Sequence, residues 1–121
     1  SLEEALESAR ERLIEVGMLS GEVFAPRATQ VDRDNVHLAG GHVDYPHGTQ
    51  ENLAAIREHH LDGVTLPRKY KGLNLPTTVY TMMTEMVSRA DASLQNLSDE
   101  WEKSSSRIRK ISERSACSKW N

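Results

Sequence analysis

Five histidines, a methionine cluster and one acidic side chain beside it are the residues that could do chemistry in this chain. His37, His42 and His47 recur every five residues with Asp44 between the last two, and imidazole and carboxylate are metal-ligand types. A spacing of five places successive residues on opposite faces of a strand, and His59 and His60 would point about 100° apart on a helix. Neither set focuses ligands, so solvated loop and helix histidines are the plainer reading and no metal site is predicted. Cys117 is the single cysteine, without an internal disulfide partner or a Cys or His neighbour at zinc-finger spacing. Gly40-Gly41 lacks the further glycines, lysine and hydroxyl of a phosphate-binding loop, and no Gly-x-Ser-x-Gly nucleophile elbow is present. Among 18 acidic residues no carboxylate pair stands out. Glu85, beside Met82 and Met86, is the carboxylate closest to an apolar stripe, where burial would raise its pKa as in a general acid. The competing reading is a flank residue paired with Arg89 in solvent. Met82, Met83 and Met86 could line a cavity for a flexible apolar ligand, and ordinary core packing explains them equally well.

The elements that would position these groups are mostly helical. Ser1 with Glu4 three residues on reads as a capping box, and Leu2, Leu6, Ala9, Leu13, Val16, Ser20 and Phe24 recur at spacings of three or four. The spacing predicts one helix over 2–32, kinked near Pro26, which cannot donate to the preceding turn. Val36-His37-Leu38 and His42-Val43-Asp44-Tyr45 flank Gly40-Gly41 and predict a hairpin-like insertion at 36–45, too short to stand unless it lies against helices. Thr49 is the candidate cap of a helix carrying Leu53, Ala54, Ile56 and Leu61 and ended by Gly63. Residues 63–76, punctuated by Pro67, Gly72 and Pro76, read as a structured loop pinned by Leu66, Leu73 and Leu75. Thr77 or Thr78 then caps the strongest helix, 78–97, with Val79, Met82, Met83, Met86, Val87, Ala90, Leu94 and Leu97 on one broad face and Glu85 and Arg89 paired on its flank. The expected fold class is all-α: a small helical bundle with a long kinked first helix, the 36–45 insertion and the 78–97 helix.

At 121 residues the chain holds one domain of common size and excludes a multidomain enzyme. Hydrophobic residues make up 37% and only six residues are aromatic, so the core must be built from Leu, Val, Ala and Met. No run approaches the length of a membrane span, and the acidic start Ser1-Leu2-Glu3-Glu4 is unlike a signal peptide, which predicts a cytoplasmic chain with no membrane partner. The net charge of −3 hides an asymmetry: residues 1–101 carry 16 acidic and nine basic side chains, and 102–121 carry two acidic and six basic. Seven serines fall in the last 24 residues. A boundary is therefore expected between a domain at 1–97 and a Ser-rich basic tail at 98–121, either a frayed helix capped by Asp99 with Trp101, Ile108 and Ile111 on one stripe, or disordered. Arg107-Ile108-Arg109-Lys110 could touch nucleic acid or an acidic membrane. No basic stripe extends into the domain, so a solvated tail is preferred and no nucleic-acid partner is predicted.

The loop and the strong helix carry a further signal. The run Leu61-Asp62-Gly63-Val64-Thr65-Leu66-Pro67-Arg68-Lys69-Tyr70-Lys71-Gly72-Leu73, then Tyr80, then Glu85-Met86-Val87-Ser88-Arg89-Ala90-Asp91-Ala92-Ser93-Leu94, resembles the N-terminal helical domain of acyl-CoA dehydrogenases. Gly21-Glu22-Val23-Phe24-Ala25-Pro26-Arg27-Ala28 is similar to the first-helix motif that precedes it, and the resemblance spans residues about 9–97 in order. Lys71 stands where the family has the first glycine after the tyrosine, a departure in the loop. After Leu97 the family would continue into an apolar helix, a β-rich middle domain and a C-terminal four-helix bundle, which suggests a truncated or frame-shifted reading frame.

The resemblance implies an FAD flavoprotein of fatty acid metabolism. In that family a glutamate removes the α-proton of an acyl-CoA, the β-hydride passes to the flavin, and electron-transfer flavoprotein reoxidises it. The family's catalytic glutamate and nearly all FAD contacts lie in the other two domains, so no catalytic or cofactor-binding residue is expected here and FAD is not expected to bind the chain alone. By the same correspondence Met82, Glu85, Met86 and Ala90 would line the acyl pocket and shape chain-length preference. The expectation is a fragment that covers one side of that pocket and is inactive alone. The rival is a small helical interaction module that binds a partner helix or separately supplied flavin domains, self-associating through an exposed apolar face.

Overall fold

Ser1 and Glu4 form the expected capping box: the Glu4 N–H donates to Ser1 Oγ at 3.3 Å and the terminal amine to Glu4 Oε2 at 2.7 Å. In the computed structural model, which describes residues 1–99, helix α1 runs Leu2–Leu19 from that cap. It passes without a break into a π-helical segment, Ser20–Phe24, and then α2, Ala25–Asp34. The long helix is therefore present, but its defect begins a turn before Pro26. Pro26 has no N–H, and its ring collides with the carbonyl four residues back, so widening the preceding turn lets α2 start with the proline in its first turn. The apolar stripe of α1 is buried only in its second half. Val16 and Leu19 are in the core, whereas Leu2 and Leu6 are 75% and 61% exposed because no described element lies over the first two turns.

The hairpin forms as β1, His37–Ala39, and β2, His42–Asp44, paired His37↔Asp44, Leu38↔Val43 and Ala39↔His42. Gly40 and Gly41, both at positive φ, supply the two-residue turn that matches strand twist. Two expectations fail. Both strands are exposed on every residue, so the hairpin does not lie against the helices. The register also puts His37, His42 and Asp44 on one face of the hairpin. His37 Nε2 nevertheless lies 2.9 Å from the Asp34 carbonyl, and no group of three ligand-type side chains comes together among the described residues.

Helix α3, His47–Glu58, starts after Pro46, and Thr49 is buried inside it instead of capping it. It ends before Gly63. The Leu61 N–H donates to the Ile56 carbonyl at 2.9 Å and the His60 N–H to Arg57 at 3.0 Å around a left-handed His60, the double bond of a Schellman stop. The following loop is structured as expected, with a 3₁₀ turn at Arg68–Tyr70. Leu73 and Leu75 pack on the core, while Leu66 packs inside the loop against Gly63 and Gly72.

Helix α4 spans Thr77–Ala90 with Pro76 at its cap position, so Thr77 and Thr78 lie inside the helix and neither caps it; the fixed φ of proline and its missing N–H suit it to the helix start. The single helix expected over 78–97 is two: Asp91 is extended, and residues 92–99 turn into a second helix. Asp99 accepts from Tyr80 Oη and from Gln95 Nε2 and ties residues 92–99 back to the start of α4; the helix it is expected to cap lies outside the described residues. The core gathers Val16, Leu19, Phe24, Ile56, Leu61, Val64, Met83, Val87 and Leu94 between these elements. Among the described residues the fold is thus mostly helical with one two-stranded hairpin, and no described helix is long and apolar enough to cross a membrane. Trp101, Ile108, Ile111 and most of the basic tail lie outside the described residues.

Candidate functional site

Arg89 to Ser93 form the corner where α4 ends, and this corner is built by one carboxylate. Asp91 Oδ1 accepts from the Ser93 N–H at 3.0 Å, the Ser93 hydroxyl at 2.6 Å and the Leu94 N–H at 3.1 Å, while the Asp91 N–H donates to the Val87 carbonyl at 2.8 Å. One residue therefore closes one helix and caps the next. Asp91→Ala is expected to cost about 1 kcal/mol through loss of that cap, and Asp91→Asn less, since an amide oxygen can still accept. Urea denaturation, with hydrogen exchange at the Ser93 and Leu94 amides, reads the difference; equal exchange in the alanine variant would show that the Asp91 cap contributes nothing.

The corner faces α2 and the base of the hairpin across a cleft of about 700 Å³. Ala28, Val31, Tyr45, Pro46, Ala90, Ala92 and Leu97 supply its apolar lining, and Asp32, Asn35, Thr49, Arg89, Ser93 and Asn96 its polar groups. That size and mixture suit a small ligand. Its walls are held together by Arg27 of α2, whose Nη1 donates to Asn52 Oδ1 of α3 at 2.9 Å and whose Nη2 lies 3.6 Å from Glu51.

The residues singled out on α4 do not converge on this cleft. Ala90 lines it, Met86 rests its sulfur beside Gly17 of α1, and Met82 and Glu85 are exposed. Met83 is the methionine buried in the core. Glu85 is not drawn toward the apolar interior, and no ion pair joins it to Arg89 among the described residues. Asp91, Ser93 and Asn96 are the site residues that reading by apolar period passes over. An aspartate two residues before a serine was a legible cap signal, masked by the unbroken spacing of Val87, Ala90, Leu94 and Leu97.

A second polar cluster joins α1 to the end of α3. Arg12 Nη1 donates to Glu15 Oε2 at 2.7 Å, and His59 Nδ1 donates to Glu15 Oε1 at 2.6 Å, so His59 is held by a partner instead of lying free in solvent. Burial pushes the Glu15 carboxyl up, but the hydrogen bonds from His59 and Arg12, aided by their charges, outweigh it and hold the group below its ordinary 4.5. A lowered folded value means the stabilisation is fully present above the unfolded pKa and is lost as pH falls through the folded one. Glu15→Gln is therefore expected to flatten the acid limb of stability against pH. The difference between wild type and variant should shrink as pH falls below 4.5, as read by urea midpoints on the acid limb. A difference that grows on acidification would reverse the sign.

Over 88 residues the chain is 32% identical to the 3-methylmercaptopropionyl-CoA dehydrogenase of Ruegeria pomeroyi. The match is a distant one to an acyl-CoA dehydrogenase. It covers 73% of this chain, and the chain spans 15% of the length of that protein. No protein-family model matches the chain.

Proposed function

We propose that the described helices are the N-terminal helical domain of an FAD-dependent acyl-CoA dehydrogenase, covering one side of the acyl pocket for the α,β-dehydrogenation of an acyl-CoA. The observation that carries this reading is the 32% identity over 88 residues, on a chain whose fold is mostly helical. The cleft at the Arg89–Ser93 corner adds support as an apolar-lined surface of ligand size. Met82, Glu85, Met86 and Ala90, one stripe along α4, would complete the acyl pocket once further domains pack against it.

FAD does not fit the donor set of that corner. The pyrophosphate of a dinucleotide seeks the free N–H groups of a helix start. Here those of Ser93 and Leu94 are already taken by Asp91, whose carboxylate repels a second anion. By the resemblance to acyl-CoA dehydrogenases, the flavin, the proton-abstracting glutamate and the contact to electron-transfer flavoprotein would belong to domains other than this one, and this domain by itself would do no dehydrogenation.

A chimera tests the reading: these residues replace the matched stretch of the Ruegeria pomeroyi enzyme. A folded chimera that retains flavin and oxidises acyl-CoA is the expected result; one that folds and retains flavin but no longer binds acyl-CoA overturns it. The isolated chain should show no flavin absorbance and no turnover, and stoichiometric flavin with turnover would defeat the claim of incompetence. The exposed Leu2, Leu6 and Met82 favour a second reading, an interaction module that receives those domains as a separate chain or pairs with itself. Sedimentation tests the self-pairing form of that reading, since a clean monomer argues against it.

A further inference from the structure

Ile14, Met18, Leu19 and Val23 line a groove of about 280 Å³ along α1 and the π segment, closed on one side by His59. Ile14 and Met18 are 54% and 56% exposed, so two large apolar side chains stand uncovered there. Glu11, Glu15 and Glu22 complete the walls. Glu15 is engaged by Arg12 and His59, whereas Glu11 and Glu22 are exposed and have no cationic partner among the described residues. An apolar floor between uncompensated carboxylates fits a segment that is both apolar and cationic.

The chain itself contains such a segment. Arg107-Ile108-Arg109-Lys110-Ile111 places three cations and two isoleucines within five residues, beyond the described residues. The route to the groove is short. Ser98 shares a small cavity with Ile56, Arg57 and Asp62, and the groove wall His59 lies between the last two in sequence. Eight residues from Asp99 to Arg107 can span up to about 26 Å.

We propose that this groove is the docking site of the chain's own Arg107–Ile111 segment, with Ile108 and Ile111 covering Ile14 and Met18 and the cations meeting Glu11 and Glu22. The docking removes two exposed apolar side chains from water and places the positive end of the charge asymmetry on the negative helix. It does not depend on the acyl-CoA reading.

The test uses the full chain with a nitroxide on Cys117, six residues beyond Ile111 and the single cysteine. Methyl signals of Ile14, Met18 and Val23 are expected to weaken about twofold or more relative to the reduced label at low salt, with Leu38 of the hairpin unaffected, and to recover toward 1 M salt, where the Debye length is about 3 Å. Arg107→Glu with Arg109→Glu should abolish the effect, and adding Glu11→Arg with Glu22→Arg should restore it, an outcome that misfolding cannot imitate. Uniform intensities along α1, or broadening indifferent to the charge reversals, would overturn the proposal. A mixture of spin-labelled chains with isotope-labelled Cys117→Ser chains reads the remaining case: broadening in the mixture means that a second copy's segment fills the groove, which overturns docking within one chain.

Discussion

Phe24→Ala is expected to remove about 3–5 kcal/mol of stability, the range for deleting a buried phenylalanine. Phe24 is the only phenylalanine in the chain and is fully buried at the last residue of the π segment, where α1 passes into α2. It belongs to the cluster of Val16, Ile56, Leu61, Val64, Met83, Val87 and Leu94, and so joins the first helix to α3, to the loop and to both halves of the last helical pair. The ring is enclosed on all sides by that cluster and borders a small pocket of about 30 Å³, and the cavity left by alanine adds to it. A domain of this size has about 5–15 kcal/mol in total, so the loss is a large part of it. Urea denaturation should show a midpoint shifted far down or no cooperative transition at all. A shift worth less than about 1 kcal/mol would mean that the core collapses onto the alanine.

Gly72→Ala is expected to cost about 3 kcal/mol, the upper end of overpacking, because the obstacle is backbone and cannot rotate away. A Cβ on Gly72 would stand 2.1 Å from the Leu66 carbonyl oxygen and 2.5 Å from its carbon. That carbonyl accepts from the Asn74 N–H at 2.8 Å, and the Leu75 N–H donates to Val64 at 3.0 Å, so relief of the clash must pull apart the bonds that seat Leu73 and Leu75 on the core. Lys71 sharpens the case. It takes the left-handed conformation that glycine adopts freely, with φ of 64°, so the loop already carries an unfavourable non-glycine backbone beside the close approach at Gly72. The effect should be local first: exchange at Asn74 and Leu75 should rise before the global transition moves. Wild-type protection at both amides together with an unchanged midpoint would count against the close approach.

Much of the fold was legible because its signals are local. The Ser1–Glu4 cap, the Gly40-Gly41 hairpin and the start of α4 after Pro76 each depend on residues within a few positions of one another. Where the reading failed, periodicity agreed with two structures at once. A stripe at spacings of three and four looks the same whether α4 continues to Leu97 or breaks at Asp91, since both halves turn an apolar face to one core. The stripe on α1 likewise looks uniform, although only its second half meets a neighbour. His60 could take a cap position that glycine usually fills because burial of Leu61 repays the left-handed backbone, a contribution invisible in the local sequence.

By itself, the sequence determined the helical class, the order of elements, the resemblance over residues about 9–97 and the division of charge between the body of the chain and its tail. The class, the order of elements and the charge division follow from side-chain period, turn chemistry and composition, and the resemblance from runs of specific residues; all are properties of neighbours along the chain. Only the tertiary structure decided that the Arg89–Ser93 motif is a corner, that Ala90 alone of Met82, Glu85, Met86 and Ala90 faces the 700 Å³ cleft, and that His59 is bound to Glu15. Those outcomes depend on which residues far apart in sequence are brought together, and the spacing of one element carries no record of what the next will cover.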